Sequence, residues 1–310
     1  MTQNKAVQLV EVAPRDGFQA VKPFIPTETK ISVCKTLIEA GAKRLEVGAF
    51  VSPKAIPQLA DTAEVHAALS EQAKANAVRL STLVPNANGG RRALDAGISD
   101  LVFVLSASET HNQSNVRRSV SDSLDELGKL VEAARYAPGF RLRVNIATVF
   151  DCPFEGRTPE STVRDIVEQV LEMNVEVEFG LCDTTGRAFP DHVGRLCGEL
   201  VAQHASERSV GWAFHGHDTF GLGIANALYA YNGGIRIFDA AAAGLGGCPF
   251  APGASGNTAS EDLLFAFDNM NIPTDLDLAK LLDAATYIES LPGAETGGHV
   301  RRLPRERICA

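Results

Sequence analysis

TETKISVCKTLIEAGAKRLEVGAF, residues 27–50, contains one helix, one strand and the punctuation between them. Thr27 can cap a first turn, Ile31, Cys34, Leu37 and Ile38 recur as an apolar stripe at helical spacing, and Gly41 suits the C-terminal cap. RLEVGAF, 44–50, follows as a short buried strand. Outward from this unit the same alternation runs along the chain. Strands are predicted at VQLVEVA (7–13), RLEVGAF (44–50), RLSTLVP (79–85), DLVFVLSAS (100–108), RLRVNIATVF (141–150), VEVEFGLCD (175–183), VGWAFHGH (210–217) and IFDAAAAG (237–244), each followed by a helical stretch. Other helix starts look similar: Ser119 precedes DSLDELGKLVEAARY, and Thr158 with Pro159 opens the segment to Met173.

Eight βα units in about 270 residues match the size of a (β/α)8 TIM barrel, an α/β fold. A doubly wound open sheet is the alternative. The barrel is expected to span residues 1–275. Residues 276–310 supply a C-terminal helical extension, one further helix and an Arg-rich tail (Arg301, Arg302, Arg305, Arg307), with a solvated tail the simpler reading.

At 45% apolar and 22% charged residues, the composition is that of a globular chain with material for a large core. A net charge of −9 argues against wholesale binding to nucleic acid or an anionic membrane, since both need clustered Lys and Arg. An anionic substrate then needs a local basic pocket. The N-terminus MTQNKAVQLVEVAPRDG turns acidic by Glu11 and lacks a long apolar region, so it reads as mature protein, and no apolar run approaches membrane-spanning length. Cys34, Cys152, Cys182, Cys197, Cys248 and Cys309 have no metal-ligand spacing and are expected to be reduced thiols in a cytoplasmic setting.

In a barrel, catalytic groups sit at the C-terminal ends of strands and in the loops after them. The unusual residues fall there. Arg15 and Asp16 follow the first strand, Glu46 lies on the second, Asp183 ends the sixth, His215 and His217 end the seventh, and GLGGCPFAPGASGN (244–257) follows the eighth. In HGHD (215–218) the two imidazoles are two residues apart, so a strand projects both from one face. With carboxylates arriving from neighbouring strands, that pair is a candidate metal centre; a buried polar network is the plainer alternative. Asp16 would complete three ligands and leave open positions, and Asn257 is a further amide-oxygen candidate. Oxygen ligands favour Mg2+ or Mn2+, with zinc and iron left open. For Asp16 alone, PRDG would also suit an ordinary β-turn. The segment around Cys248 carries five glycines and two prolines, which suits either tight turns or a mobile lid delivering a thiol. It lacks the G-K-[ST] ending of a phosphate loop.

VEVAPRDGFQ (10–19), FVSPKAIPQLAD (50–61), FHGHDTFG (214–221) and GLGGCPFAPGASGNTASED (244–262) together resemble the 3-hydroxy-3-methylglutaryl-CoA lyases, in the metal-dependent lyase and synthase superfamily of TIM barrels. The resemblance covers nearly the whole chain. It implies Asp16, His215, His217 and Asn257 as ligands of a divalent cation and Arg15 as the catalytic arginine. It also implies Glu46, Asp183 and Glu261 as acidic residues that arrange or assist the site, Cys248 as the cysteine of the active-site loop, and Arg15, Gln19, Lys22 and Glu261 as substrate contacts. The implied reaction is a retro-Claisen cleavage of an acyl-CoA to acetyl-CoA and acetoacetate, with His215 or Asp183 taking the hydroxyl proton, Arg15 on the enolate oxygen and Cys248 protonating the enolate carbon. A homodimer is implied as well.

Two stretches depart from the family pattern. GLCDTTGRAFP (180–190) stands where the lyases commonly have Ser-Leu-Gly-Asp-Thr-Ile-Gly, and NIATVFDCPFEG (145–156) differs before its CPFEG-like turn. Both bear on the acyl group, and Arg187 is free to meet an extra carboxylate. Two other functions are weighed. An isopropylmalate-synthase-like condensing enzyme would be expected to carry a further domain and to lack the cysteine loop; a non-catalytic metal-binding barrel would not need every acid, base and ligand position filled.

Overall fold

The computed structural model describes residues 6–247 and 256–308. Eight parallel strands close into one barrel: β1 (Gln8–Glu11), β2 (Arg44–Ala49), β3 (Arg79–Val84), β4 (Asp100–Ser106), β5 (Arg141–Ala147), β6 (Val177–Asp183), β7 (Val210–Gly216) and β8 (Ile237–Ala240). Each pairs with its neighbour in sequence, and β8 returns to β1 with Gln8 opposite Ile237 and Glu11 opposite Ala240. Closure rules out the doubly wound sheet. All eight predicted strands are present, each starting or ending a few residues inside its expected range.

The strands alternate between two environments. Phe103, Phe179, Phe214 and Phe238 are fully or almost fully buried among the aliphatic residues of the shell between sheet and helices. Burying each such ring stabilises the fold by roughly 1.5–3 kcal/mol. Between buried apolar neighbours on β5, β6 and β8, Arg143 instead pairs with both Glu178 and Asp239. A barrel interior is ordinarily filled by branched apolar side chains, so this ionic filling is a departure.

Helix α1 (Thr27–Glu39) follows β1, and Gly41 ends it at φ +99°, where an added Cβ would sit 2.2 Å from the Asp275 carbonyl oxygen. Only glycine fits both conditions. Thr27 does not cap this helix: Pro26 holds the cap position and the Thr27 hydroxyl donates to Asp61 Oδ2 at 2.8 Å. Thr158 likewise gives its hydroxyl to the Thr148 carbonyl, leaving Pro159 ahead of the helix Glu160–Leu171. Ser119 caps as expected, accepting from the Asp122 amide. Beyond residue 275 a helix, Leu278–Glu289, packs on α1. The tail is not simply solvated. Arg301 is 5% exposed, bonded to Glu289 Oε2 at 2.5 Å and to the Gly297 carbonyl at 3.1 Å. Among the described residues, no helix is long and apolar enough to cross a membrane, and Cys34, Cys152, Cys182 and Cys197 are buried free thiols.

Candidate metal centre and active site

The chain leaves β1 through a single π-helical turn, Ala13–Gly17, in which the amides of Arg15, Asp16 and Gly17 all donate to the Val12 carbonyl. This is not the β-turn that PRDG alone would allow. Turns of this width recur at functional sites because they re-aim consecutive side chains. At Gly17 an added Cβ would lie 2.8 Å from Leu245 Cδ2, so the turn packs directly against the segment after β8.

Arg15 is buried and bidentate on Glu46, with Nε to Oε1 at 2.8 Å and Nη2 to Oε2 at 3.2 Å; its Nη1 donates to Asp16 Oδ1. Burial opposes the guanidinium charge, but Glu46 and Asp16 outweigh it and hold the pKa of Arg15 above its ordinary value. Burial would also raise Asp16, yet Arg15, then His215 and His217, hold its carboxyl well below the usual carboxylate range. Both groups are therefore charged throughout the neutral range.

His215 and His217 converge as strand parity requires, with Nε2 to Nε2 at 3.2 Å. One ligand atom from each of Asp16, His215 and His217 lies within 4.8 Å of the others. Burial lowers His217 to about 4, with His215 adding to the effect, so its ring is neutral and able to ligate at pH 7. Asn257 is bridged to His217 across the backbone and donates through Nδ2 to Asp16 Oδ2 at 2.9 Å and to the Leu245 carbonyl at 3.0 Å.

The donor set, one carboxylate and two imidazoles, fits a divalent cation. Adjacent ligands about 2.1 Å from an octahedral ion stand about 3 Å apart, close to the spacing of the two Nε2 atoms. Two buried polar atoms beside them, His217 Nδ1 and Asn257 Oδ1, have no hydrogen-bond partner among the described residues. A flip of the Asn257 amide would turn that oxygen towards Asp16.

Arg15, Asp16, His215 and His217 line one side of a cavity of about 250 Å3 at the C-terminal mouth of the barrel. Gln19, Cys182, Thr184 and Gly247 line it too, and Val51, Ile56, Leu83, Val104 and Val116 form an apolar wall that also carries His111 and Asn115. Glu46 reaches this site through Arg15. Three expected residues are placed elsewhere. Asp183 follows Cys182, which faces the cavity, so parity turns its carboxylate outwards, where it accepts from the Ala188 amide at 3.2 Å and from Asn226 Nδ2 at 3.4 Å. Glu261 is fully buried, accepting from the Ala243 amide at 3.0 Å, and is no substrate contact. Lys22 is exposed on an adjoining hollow that shares Gln19 and Ile56 with the cavity. Arg187 is an exposed side chain 3.6 Å from Asp151. Cys248 lies outside the described residues.

One residue of the site was not predicted. Asp239 accepts from His215 Nδ1 at 3.1 Å and is itself clamped by Arg143 through two 2.8 Å bonds. In the sequence it is a lone acid within IFDAAAAG. Its signal is its place on a barrel strand, where a buried carboxylate needs a partner.

The HMGL-like family matches residues 6–288. The hydroxymethylglutaryl-CoA lyase of Bacillus subtilis is 39% identical over 94% of this chain and 95% of its own length. The (R)-citramalyl-CoA lyase of Chloroflexus aurantiacus is 37% identical over 93% and 92%. A solved structure of an HMG-CoA lyase from Acinetobacter baumannii, in complex with coenzyme A and 3-methylmalate, superposes with a TM-score of 0.87 at 38% identity, over 96% of this chain and 94% of that one. On this agreement of sequence and barrel, the chain belongs to the HMGL-like family and is a carbon–carbon lyase of hydroxymethylglutaryl-CoA lyase type acting on CoA esters.

Proposed function

We propose that the chain cleaves 3-hydroxy-3-methylglutaryl-CoA into acetyl-CoA and acetoacetate with a divalent cation, Mg2+ or Mn2+, held by Asp16, His215, His217 and Asn257. The observation that carries this reading is the convergence of one carboxylate and two imidazoles within 4.8 Å, beside a buried arginine at the mouth of the barrel. Such a cation lowers the pKa of a bound alcohol and offsets the negative charge that builds as the carbon–carbon bond breaks. Arg15 spends three N–H groups on Glu46 and Asp16, leaving two of a guanidinium's five for the oxygen of the departing thioester enolate. Glu46 fixes the plane of that fork before substrate arrives.

His215 serves as a ligand in this arrangement, not as the base. Its Nδ1 is committed to Asp239 and its Nε2 faces the other donors, so neither nitrogen is open, and the hydroxyl proton passes to solvent water through the mouth of the cavity as the carbon–carbon bond breaks. Cys248 is assigned, from its motif alone, as the acid that protonates the enolate carbon. Replacing it with alanine should leave Mn2+ binding intact and lower kcat by about 10²- to 10⁴-fold, the usual range for losing a general acid. Full turnover in that variant would remove the thiol from the mechanism. A cytoplasmic homodimer is the proposed setting.

A related 3-hydroxyacyl-CoA is the second reading. Cys182 and Ala147 both line the cavity, at the two stretches where the sequence departs from the lyase pattern, and one relative is a citramalyl-CoA lyase. The test is free acetyl-CoA release from 3-hydroxy-3-methylglutaryl-CoA, citramalyl-CoA and longer-branched esters, with Mg2+ or Mn2+ and again with EDTA. Cleavage of the first ester, abolished by the chelator and restored by the metal, is expected. A folded, metal-loaded protein that cleaves none of the panel sinks the proposal.

A further inference from the structure

The interior of the barrel holds a continuous chain of ionic contacts that leads from its N-terminal end to the candidate metal centre. Arg44 on β2 is bidentate on Glu178 of β6, with both bonds at 2.8 Å. Arg143 on β5 lies 3.6 Å from Glu178 and is bidentate on Asp239 of β8, again with both bonds at 2.8 Å. Asp239 meets His215 Nδ1 at 3.1 Å. Strand register accounts for the last contact, since Asp239 and His215 are direct partners on β8 and β7. Arg143 is itself steadied by Asn145 Oδ1 at 2.7 Å from its Nε.

From this geometry we infer that Asp239, clamped by Arg143, is a positioning residue that sets the tautomer of His215 and reserves its Nε2 for the cation. The chemistry is one-directional. A carboxylate whose two oxygens already accept from a guanidinium can only accept from the imidazole as well, so the hydrogen of neutral His215 must sit on Nδ1. The Nε2 lone pair is then bare and faces Asp16 and His217 before any ion arrives. His217 is different: its Nδ1 has no hydrogen-bond partner among the described residues, and its Nε2, 3.2 Å from the bare Nε2 of His215, carries the hydrogen of that contact. The two imidazoles thus enter the site unequally prepared: His215 is preset by a buried ion pair, whereas His217 must move its hydrogen to Nδ1 before its Nε2 can ligate.

This inference rests on the metal-site reading, and the experiment separates the two. In metal-free protein, nitrogen NMR of labelled histidines should show His215 with a protonated Nδ1 and a bare Nε2. Asp239→Asn keeps the shape but pairs its amide oxygen with Arg143 and presents its NH2 to the ring, which inverts the tautomer. Mn2+ titration of that variant should show affinity weakened by about 10- to 100-fold, the range for losing a partner that orients a ligand. Glu178→Gln breaks the same ionic chain two links further from His215 and should leave Mn2+ affinity as in the wild type. Equal weakening by both variants, or wild-type affinity in Asp239→Asn, would reduce the chain to a structural role. If Asp239→Asn does not fold, the wild-type tautomer decides, and a protonated Nε2 on His215 overturns the inference. A wild-type protein that binds no Mn2+ yet shows the expected tautomer would fail the metal reading alone.

Discussion

The cavity has two sides built from equivalent strand ends and opposite materials. Where β7, β8 and β1 meet, every charged group is held by another: Arg15 by Glu46 and Asp16, Asp16 by Asn257, His215 by Asp239, Asp239 by Arg143. Across the opening, Val51, Ile56, Leu83, Val104 and Val116 present apolar surface, interrupted by His111 and Asn115. Even the titratable group there is quiet, since burial lowers His111 to about 4 and leaves it neutral at pH 7. The contrast separates two tasks. Charge stabilisation needs preorganised groups that do not relax, which the ionic side supplies through its mutual contacts. Under the proposed function, recognition of an aliphatic branch falls to the wall, since it needs shape alone and can change without disturbing the reacting groups.

Breaking the ionic side should have the largest effect. Arg15→Lys keeps the charge but loses the planar fork that satisfies Glu46 and still reaches the cavity. We expect kcat to fall by about 10²- to 10³-fold with KM changed much less, read by steady-state acetyl-CoA release. A variant within tenfold of the wild type would mean that charge in the transition state is stabilised elsewhere. The wall should respond in the other sense. Val104→Ala, at a partly buried position, removes two methyl groups from the cavity lining. It should shift the kcat/KM ratio between a longer-branched and a methyl-branched ester by about tenfold towards the larger, with kcat on the smaller ester little changed, since a methylene in a pocket discriminates by 10- to 200-fold at most. Loss of kcat on both esters would erase the division between the two sides.

Most of the ionic side was legible in the sequence because its parts lie at strand ends, and strand ends are marked by runs of Val, Leu, Ile and Phe. HGHD could be read locally, since two residues apart on a strand is enough to bring two imidazoles together. Asp239 could not. Its partners Arg143 and His215 are 96 and 24 residues away, and only the register of β8 against β7 makes the contact. Asp183 stands outside the cavity for a related reason: Cys182 is level with His215 and Asp183 with Gly216, so one residue of parity separates the cavity from the outer layer. Thr27 and Thr158 had the composition of caps, but tertiary partners took their hydroxyls. The wall was the least legible part, because apolar residues at strand ends look the same whether they face a ligand or a helix.

Asp183 offers the smallest effect on activity and the cleanest check on where the ionic side stops. Its carboxylate belongs to neither side of the cavity, and burial raises its pKa from the ordinary carboxylate range to about 7. The folded protein therefore binds this proton more tightly than the unfolded chain does. The group adds stability that is fully present below its unfolded pKa of about 4 and is lost as pH rises through about 7. Asp183→Asn carries no charge at any pH, and its amide oxygen can still accept from the Ala188 amide. The melting temperature of the variant relative to the wild type should accordingly rise between pH 5 and pH 8. Glu11 and Glu261, raised by burial to about 7 and about 8, titrate in both proteins and cancel from the comparison. Turnover should stay within about threefold, as for a substitution that touches neither substrate nor reacting atoms. A hundredfold loss of kcat with an unaltered pH dependence of melting would instead place this carboxylate in the chemistry, and would require the strand-six end to turn its side chain into the cavity when substrate binds.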